Sequence, residues 1–294
     1  MTLKQGHGKS HSKIILIGEH SVVYGYTAIA LPLKHIEVAC QIQEAKTPLT
    51  MDISDPLSTA VFAALKYLNI EDPYISLAVD SKVPEKRGMG SSAAVAIAAI
   101  RAVFDYFDRP LAQETLEMLA NQAEIIAHEN PSGLDAKACL SDEAIKFTRN
   151  VGFEEMAIDL AAYLVIADTG IHGHTREAVA KVRALEEKAL PGLHELGNLA
   201  SVIEQAIKDH DLPRLGEAMT QAHQVLAKLG VSDMKANDLV EAALEQGALG
   251  AKMTGGGLGG CIIALCQSYD QAQALSQLLE RKGASHTWIE NLSA

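Results

Sequence analysis

The sequence predicts an α+β protein of two domains, and three observations carry that reading. Strand-like runs crowd the first half, helical periodicity fills residues 174–248, and glycine-rich loops stand directly before apolar segments. At 294 residues the chain is longer than most single domains. Charged and polar residues interrupt the pattern near 150–160, which sets the expected domains at 1–158 and 159–294, sharing a cleft.

The elements follow in order. "KIILIG" (13–18) and "HIEVACQIQ" (35–43) are rich in β-branched residues and read as strands. "PLSTAVFAALKYLN" (56–69) reads as a helix with Pro56 near its first turn. "PYISLAVDS" (73–81) alternates like a strand, and Ser92 to about Phe107 forms a helix apolar on most faces, ended by Arg109-Pro110. Another helix covers 112–129, stopped by the four turn-formers of "NPSG" (130–133). "LAAYLVIADTG" (160–170) is a continuous apolar run typical of a central strand. Breaks at Pro191-Gly192, near Pro213 and at Gly230 divide the helical stretch that follows. A glycine-rich loop feeds a strand within 251–266, and "YDQAQALSQLLERKG" (269–283) is a last helix.

Composition narrows the function. A formal charge of −12 argues against nucleic-acid binding, whose phosphate contacts need a basic face. It leaves room for a small anionic ligand held by backbone amides. Cys40, Cys139, Cys261 and Cys266 show neither CxxC pairing nor zinc spacing, so reduced, buried thiols are expected. With no signal-peptide core and no run of membrane-spanning length, a soluble, cytoplasmic protein without a membrane partner is expected.

Three glycine-rich loops raise the question of an anion site. "GMGSSA" (88–93) formally fits the dinucleotide fingerprint, with Asp108 as its acid. The uninterrupted helix after it leaves no room for the second strand that this fingerprint needs, and no Gly-Lys-Ser/Thr closes it as a Walker loop. It remains a turn delivering Ser91 and Ser92 to a helix N-terminus. Such a turn is either a plain cap or a cradle whose free N–H groups and helix dipole favour phosphate. "KIILIGEHSVVYG" (13–25) offers Glu19 and His20 at a strand end. "KMTGGGLGG" (252–260) has five glycines in six residues, as a flexible loop or as main chain laid against a ligand. Glu124 and Asp135 supply carboxylates on either side of "NPSG", while His172 and His174 lack a third metal ligand and read as a polar turn. A phosphate cradle, hard oxygen ligands for Mg2+, a lone aspartate and a lysine are together the parts of phosphoryl transfer.

Taken in order, "GEHSVVYG", "PEKRGMGSSAA", "HENPSGLD" and "KMTGGGLGGC" resemble the motifs of the GHMP small-molecule kinases, and they span residues 13 to 261. The resemblance implies an N-terminal domain like one in ribosomal protein S5 and a ferredoxin-like C-terminal domain, with ATP and substrate in the cleft between them. It implies transfer of the γ-phosphoryl of MgATP to the 5-hydroxyl of (R)-mevalonate. Members acting on galactose usually continue the Glu-His pair with Thr-Asp-Tyr, where this chain has Ser21-Val22-Val23. Those acting on phosphomevalonate tend to carry Tyr at His20, and those acting on homoserine lack the Lys13 and Asp135 pair. A non-catalytic binding protein of the same fold is the alternative from another class, and a homodimer is the assembly that family habit suggests.

The resemblance also implies roles. Gly88, Met89, Gly90 and Ser91 match the phosphate loop, and Ser92 the Mg2+-binding hydroxyl. Glu124 matches the acidic Mg2+ ligand. Asp135 matches the catalytic aspartate that receives or orients the hydroxyl proton, and Lys13 the lysine paired with it. Glu19, His20 and Thr175 match substrate-side contacts, while Gly255, Gly256 and Gly257 match a loop closing over the site. His128 is expected to be structural. The chain departs from the family pattern at Lys86 and Arg87, which stand for a glycine and an alanine and are expected to face water. Further departures are Glu129 and Leu258, each in place of a glycine, and Ser12 before the motif-one lysine.

Overall fold

The structure, a computed structural model, describes residues 4–51, 55–127 and 133–293. Its contacts divide the chain into two compact units. One holds residues 1–13, 32–85 and 90–142, and the other holds 14–31, 86–89 and 143–294. Among the described residues no helix is long and apolar enough to cross a membrane.

In the first unit, β2 (Ala28–Glu44) pairs antiparallel with β3 (Ile75–Ser81), from Val38 opposite Ser81 to Glu44 opposite Ile75. Among the described residues its helices are α1 (Pro56–Tyr67), α2 (Ser91–Tyr106), α3 (Gln113–Ala127) and α4 (Leu134–Leu140). Asp55 caps α1 by accepting the Ser58 N–H at 2.9 Å, with Pro56 opening the helix where its missing N–H costs nothing. α2 is the core element, with Ala93, Ala96, Ile97, Ile100 and Val103 fully buried. The short α4 was not anticipated. Most of the expected turn before it, with His128 and Glu129, lies outside the described residues.

β1 (Gln5–Ile17) begins eight residues ahead of the expected Lys13, and the reason is instructive. Residues 6, 8, 10 and 12 are buried while 5, 7 and 9 are exposed, so the period is that of a strand. The buried positions are glycines and serines because the strand lies flush on α2. A Cβ on Gly6 would come within 2.6 Å of the Ala102 carbonyl, and one on Gly8 within 2.5 Å of the Ala102 nitrogen. The alternation is written in small residues, so a search for alternating apolar ones passes over it.

In the second unit, Ala28–Ala30 of β2 pair with β4 (Ala144–Thr148), which forms a hairpin with β5 (Gly152–Met156). Asn150 (φ 71°) turns the hairpin, and Phe147 stacks on Phe153 at 4.5 Å. Lys146, Arg149, Glu154 and Glu155 hid this pair of strands behind charge. The other sheet runs β7 (Gly250–Thr254), β8 (Cys261–Cys266), β6 (Tyr163–Asp168), β9 (His286–Asn291), all antiparallel. β6 is central, as its unbroken apolar run predicts. β7 and β9 were not anticipated: β7 carries a lysine in five residues, and β9 is a half-exposed edge.

Helices α5 (Thr175–Ala184), α6 (Leu190–Lys208), α7 (Leu212–Lys228), α8 (Met234–Glu245) and α9 (Tyr269–Arg281) complete this unit. Alternate residues Val165 and Ala167 of β6, with Ile262 and Ala264 of β8, pack against Leu239 of α8 and Leu275 of α9. Pro191 and Pro213 mark helix starts, as their fixed φ favours. All four cysteines are free and buried.

Candidate active site

In the first unit, Lys13 of β1 is 1% exposed and faces Asp135, whose Oδ1 lies 3.1 Å from its Nζ. Asp135 is 33% exposed and sits in the first turn of α4, where the helix dipole favours a negative charge. A lysine so deeply buried needs such a partner, because an uncompensated ammonium in the interior is heavily penalised. Gly90 makes room for it. This glycine adopts φ 71° and opens α2 with no side-chain cap. A Cβ there would meet the Lys13 stem at 2.9 Å and the Cys139 sulfur at 3.1 Å.

In the first turn of α2, the Ser92 hydroxyl donates to Glu124 Oε1 of α3 at 2.8 Å. Burial pushes the Glu124 carboxyl up to about 7, and the Asp135 charge adds to this, against the opposing pull of Ser92 and Lys13. A cation beside it would return Glu124 to its charged form. These two oxygens are hard ligands of the kind Mg2+ takes, with nucleotide phosphates and water left to complete the shell, so the pair fits that ion. Among the described residues no group of three or more His, Cys, Asp or Glu side chains forms a metal cage.

In the second unit, Glu19 is 2% exposed and forms a fully buried ion pair with Lys252 of β7. The Lys252 ammonium also donates to the Met253 carbonyl at 2.7 Å. Burial lowers the pKa of Lys252 while the Glu19 carboxylate raises it. His20 follows with φ 60°, and its Nε2 lies 3.0 Å from the Gly256 carbonyl. A carbonyl only accepts, so Nε2 carries the proton and Nδ1 is the ring's acceptor. Burial lowers His20 to about 4, which keeps the ring neutral.

The third glycine loop, 255–260, lies against the protein's own main chain. A Cβ on Gly255 would stand 2.6 Å from Gly88 Cα, one on Gly260 would stand 2.9 Å from the Arg87 carbonyl, and one on Gly256 would collide with Thr175. Leu258 holds φ 53°, so it keeps the left-handed shape of the glycine it replaces and ties its N–H to the Val231 carbonyl at 2.7 Å. Thr175 is exposed and begins α5. Met89 is fully buried.

The structure thus brings Lys13, Gly90, Ser91, Ser92, Glu124 and Asp135 into one unit, and Glu19, His20, Gly88, Met89, Thr175, Gly255, Gly256 and Gly257 into the other. One expectation is corrected. Lys86 is exposed, but Arg87 does not face water: its side chain is 12% exposed and paired with Asp168. Sequence reasoning also passed over Lys252, whose signal was a single charge inside an otherwise apolar strand.

The family pattern described as "GHMP kinases N terminal domain" matches residues 57–143, and "GHMP kinases C terminal" matches residues 203–285. A curated relative, mevalonate kinase of Thermococcus sibiricus, is 33% identical over 291 residues, covering 86% of this chain and 87% of its own. Among solved structures, L. major mevalonate kinase in complex with R-mevalonate superposes with a TM-score of 0.88 at 26% identity, over 100% of this chain and 98% of that one. Mevalonate kinase from methicillin-resistant Staphylococcus aureus MRSA252 is 31% identical with a TM-score of 0.76, over 99% of this chain and 100% of that one. With both halves of the family pattern present and a relative a third identical along nearly all of its length, the chain belongs to the GHMP kinases.

Proposed function

We propose that the protein transfers the γ-phosphoryl of ATP to the 5-hydroxyl of (R)-mevalonate, giving 5-phosphomevalonate and ADP. The observation that carries this reading is a half-exposed aspartate, Asp135, held 3.1 Å from a fully buried lysine. Pure ligand binding has no use for a buried charge pair opening onto a solvent-facing carboxylate. Phosphoryl transfer to an alcohol uses both groups.

In this mechanism Asp135 Oδ1 takes the Lys13 ammonium, and Oδ2 accepts the hydrogen bond of the substrate hydroxyl and aims it at the γ-phosphorus. The new O–P bond forms as the bond to the β–γ bridging oxygen breaks, and the hydroxyl proton passes to Oδ2. In a loose transition state that proton leaves late, so orientation by Asp135 matters at least as much as basicity. The Lys13 charge favours the negative oxygen that develops on the alcohol. Main-chain N–H groups at the start of α2 receive phosphate oxygens with the helix dipole behind them. Ser92 and Glu124 would hold Mg2+, which when bound neutralises phosphate charge. His20, neutral and fixed on Gly256, presents an acceptor to a substrate hydroxyl. Glu19, buried on Lys252, acts by holding His20 in place.

A coupled assay for ADP release with mevalonate, phosphomevalonate, galactose and homoserine tests the reading, which expects turnover with mevalonate. Turnover with none of the four favours a binding protein. In a second arm, Asp135→Ala is expected to lower kcat by about a hundredfold or more while leaving MgATP binding close to wild type. Near-normal turnover in that variant rules out the assigned role.

A further inference from the structure

We propose that Arg87 is a positioning residue for the nucleotide phosphates: its clasp on Asp168 and the Gly170 carbonyl holds residues 86–89, and so the main chain leading into Gly90, in a phosphate-receiving shape. This rests on the kinase reading above. The Arg87 Nε lies 2.9 Å from Asp168 Oδ1 and 3.0 Å from Oδ2, and its Nη2 donates to the Gly170 carbonyl at 3.1 Å. The acceptor is itself fixed. Asp168 is 7% exposed at the end of β6, and its Oδ1 also takes the Gly170 N–H at 2.8 Å.

The segment needs such an anchor. Glycines in this loop surrender more conformational freedom on ordering than any other residue, and an unanchored loop would have to order itself each time nucleotide bound. Two further contacts set its path. The Gly173 N–H donates to the Lys86 carbonyl at 2.7 Å, and Gly88 lies so close to the third loop that a Cβ would meet Gly255 Cα and the Thr254 carbonyl at 3.0 Å. Lys86 is held at φ 56°, a left-handed conformation that a lysine adopts only when its surroundings impose it. Stability alone is a poor account of the pair. The Arg87 Nη1 is buried with no hydrogen-bond partner among the described residues, and a partly satisfied buried ion pair often adds little to folding. What it adds is a fixed geometry.

Arg87 spends its charge on Asp168, and that separates positioning from direct phosphate contact. Under positioning, Arg87→Ala and Asp168→Asn behave alike, and Arg87→Lys, which keeps the ion pair but loses the fork to Gly170, falls between them and wild type. Steady-state kinetics on the full chain are expected to show KM for ATP raised about tenfold or more in the first two variants, with KM for mevalonate within about twofold of wild type. Calorimetric titration with MgADP reads the same loss without turnover, and melting curves report which variants fold. If Arg87→Ala fails to fold, the Lys and Asn variants carry the comparison. Equal changes in both KM values, or a changed melting temperature with unchanged MgADP affinity, overturn the proposal. So does weakened MgADP binding in Arg87→Ala alone, since that is the mark of direct contact. A wild type that binds MgADP but turns over no mevalonate removes the substrate reading and leaves the clasp to be judged by calorimetry.

Discussion

His223 of α7 is 6% exposed and accepts the Met253 N–H on Nδ1 at 3.3 Å. Burial, with the neighbouring Lys252 charge, lowers it from 6.5 to about 4, against a hydrogen bond that the ring donates to Asn237. The folded chain therefore binds fewer protons here than the unfolded chain between those values. Its stabilising share is whole above pH 6.5 and disappears as pH falls through 4, amounting to about 3 kcal/mol in full. Urea denaturation from pH 7 to pH 4 should show wild type losing stability faster than His223→Asn, which keeps an acceptor without the titration. Parallel slopes would mean that the ring is solvated. His20 is lowered to about 4 in the same way, so part of the acid sensitivity survives in the variant. At this scale the sequence marked Lys13, Glu124 and Asp135 as chemistry-bearing, but nothing in it marked His223 as buried.

Elements were legible where their period was written in apolar residues and illegible where it was not. α2 and β6 announced themselves, since a buried helix and a central strand are apolar on nearly every face. β1 did not, because α2 leaves its inward positions no room. A Gly8→Ala change tests that account. The added methyl would press on the α2 backbone, and overpacking of that kind costs about 1–3 kcal/mol. The exposed neighbour Lys9→Ala should stay within about 0.5 kcal/mol of wild type. Chemical denaturation of the two variants distinguishes them, and equal stability would mean that strand and helix stand further apart. Because Ser91 and Ser92 open α2, a shift of that helix should weaken nucleotide binding as well.

The whole molecule carries a net charge of −12 yet is assigned a polyanionic substrate. The resolution is local: amides at a helix start, a few placed cations and an ion that arrives with the nucleotide. Since no metal cage is assembled among the described residues, EDTA should stop turnover and abolish stabilisation by ATP, yet leave the melting temperature of the ligand-free chain unchanged. A fall in melting temperature on chelation alone would reveal a structural metal.

The sequence by itself determined the helices with clear periodicity, the central strand and the motifs that led to the family, because each of these is local and a short window of residues carries its signature. Beyond the Lys13 and Asp135 pair that the motifs named, only the tertiary structure decided which charges meet. Glu19 finds Lys252 at a separation of 233 residues, and Arg87 finds Asp168 at 81. Periodicity cannot report such pairs, since it records which face of an element is buried but not what the fold brings against that face.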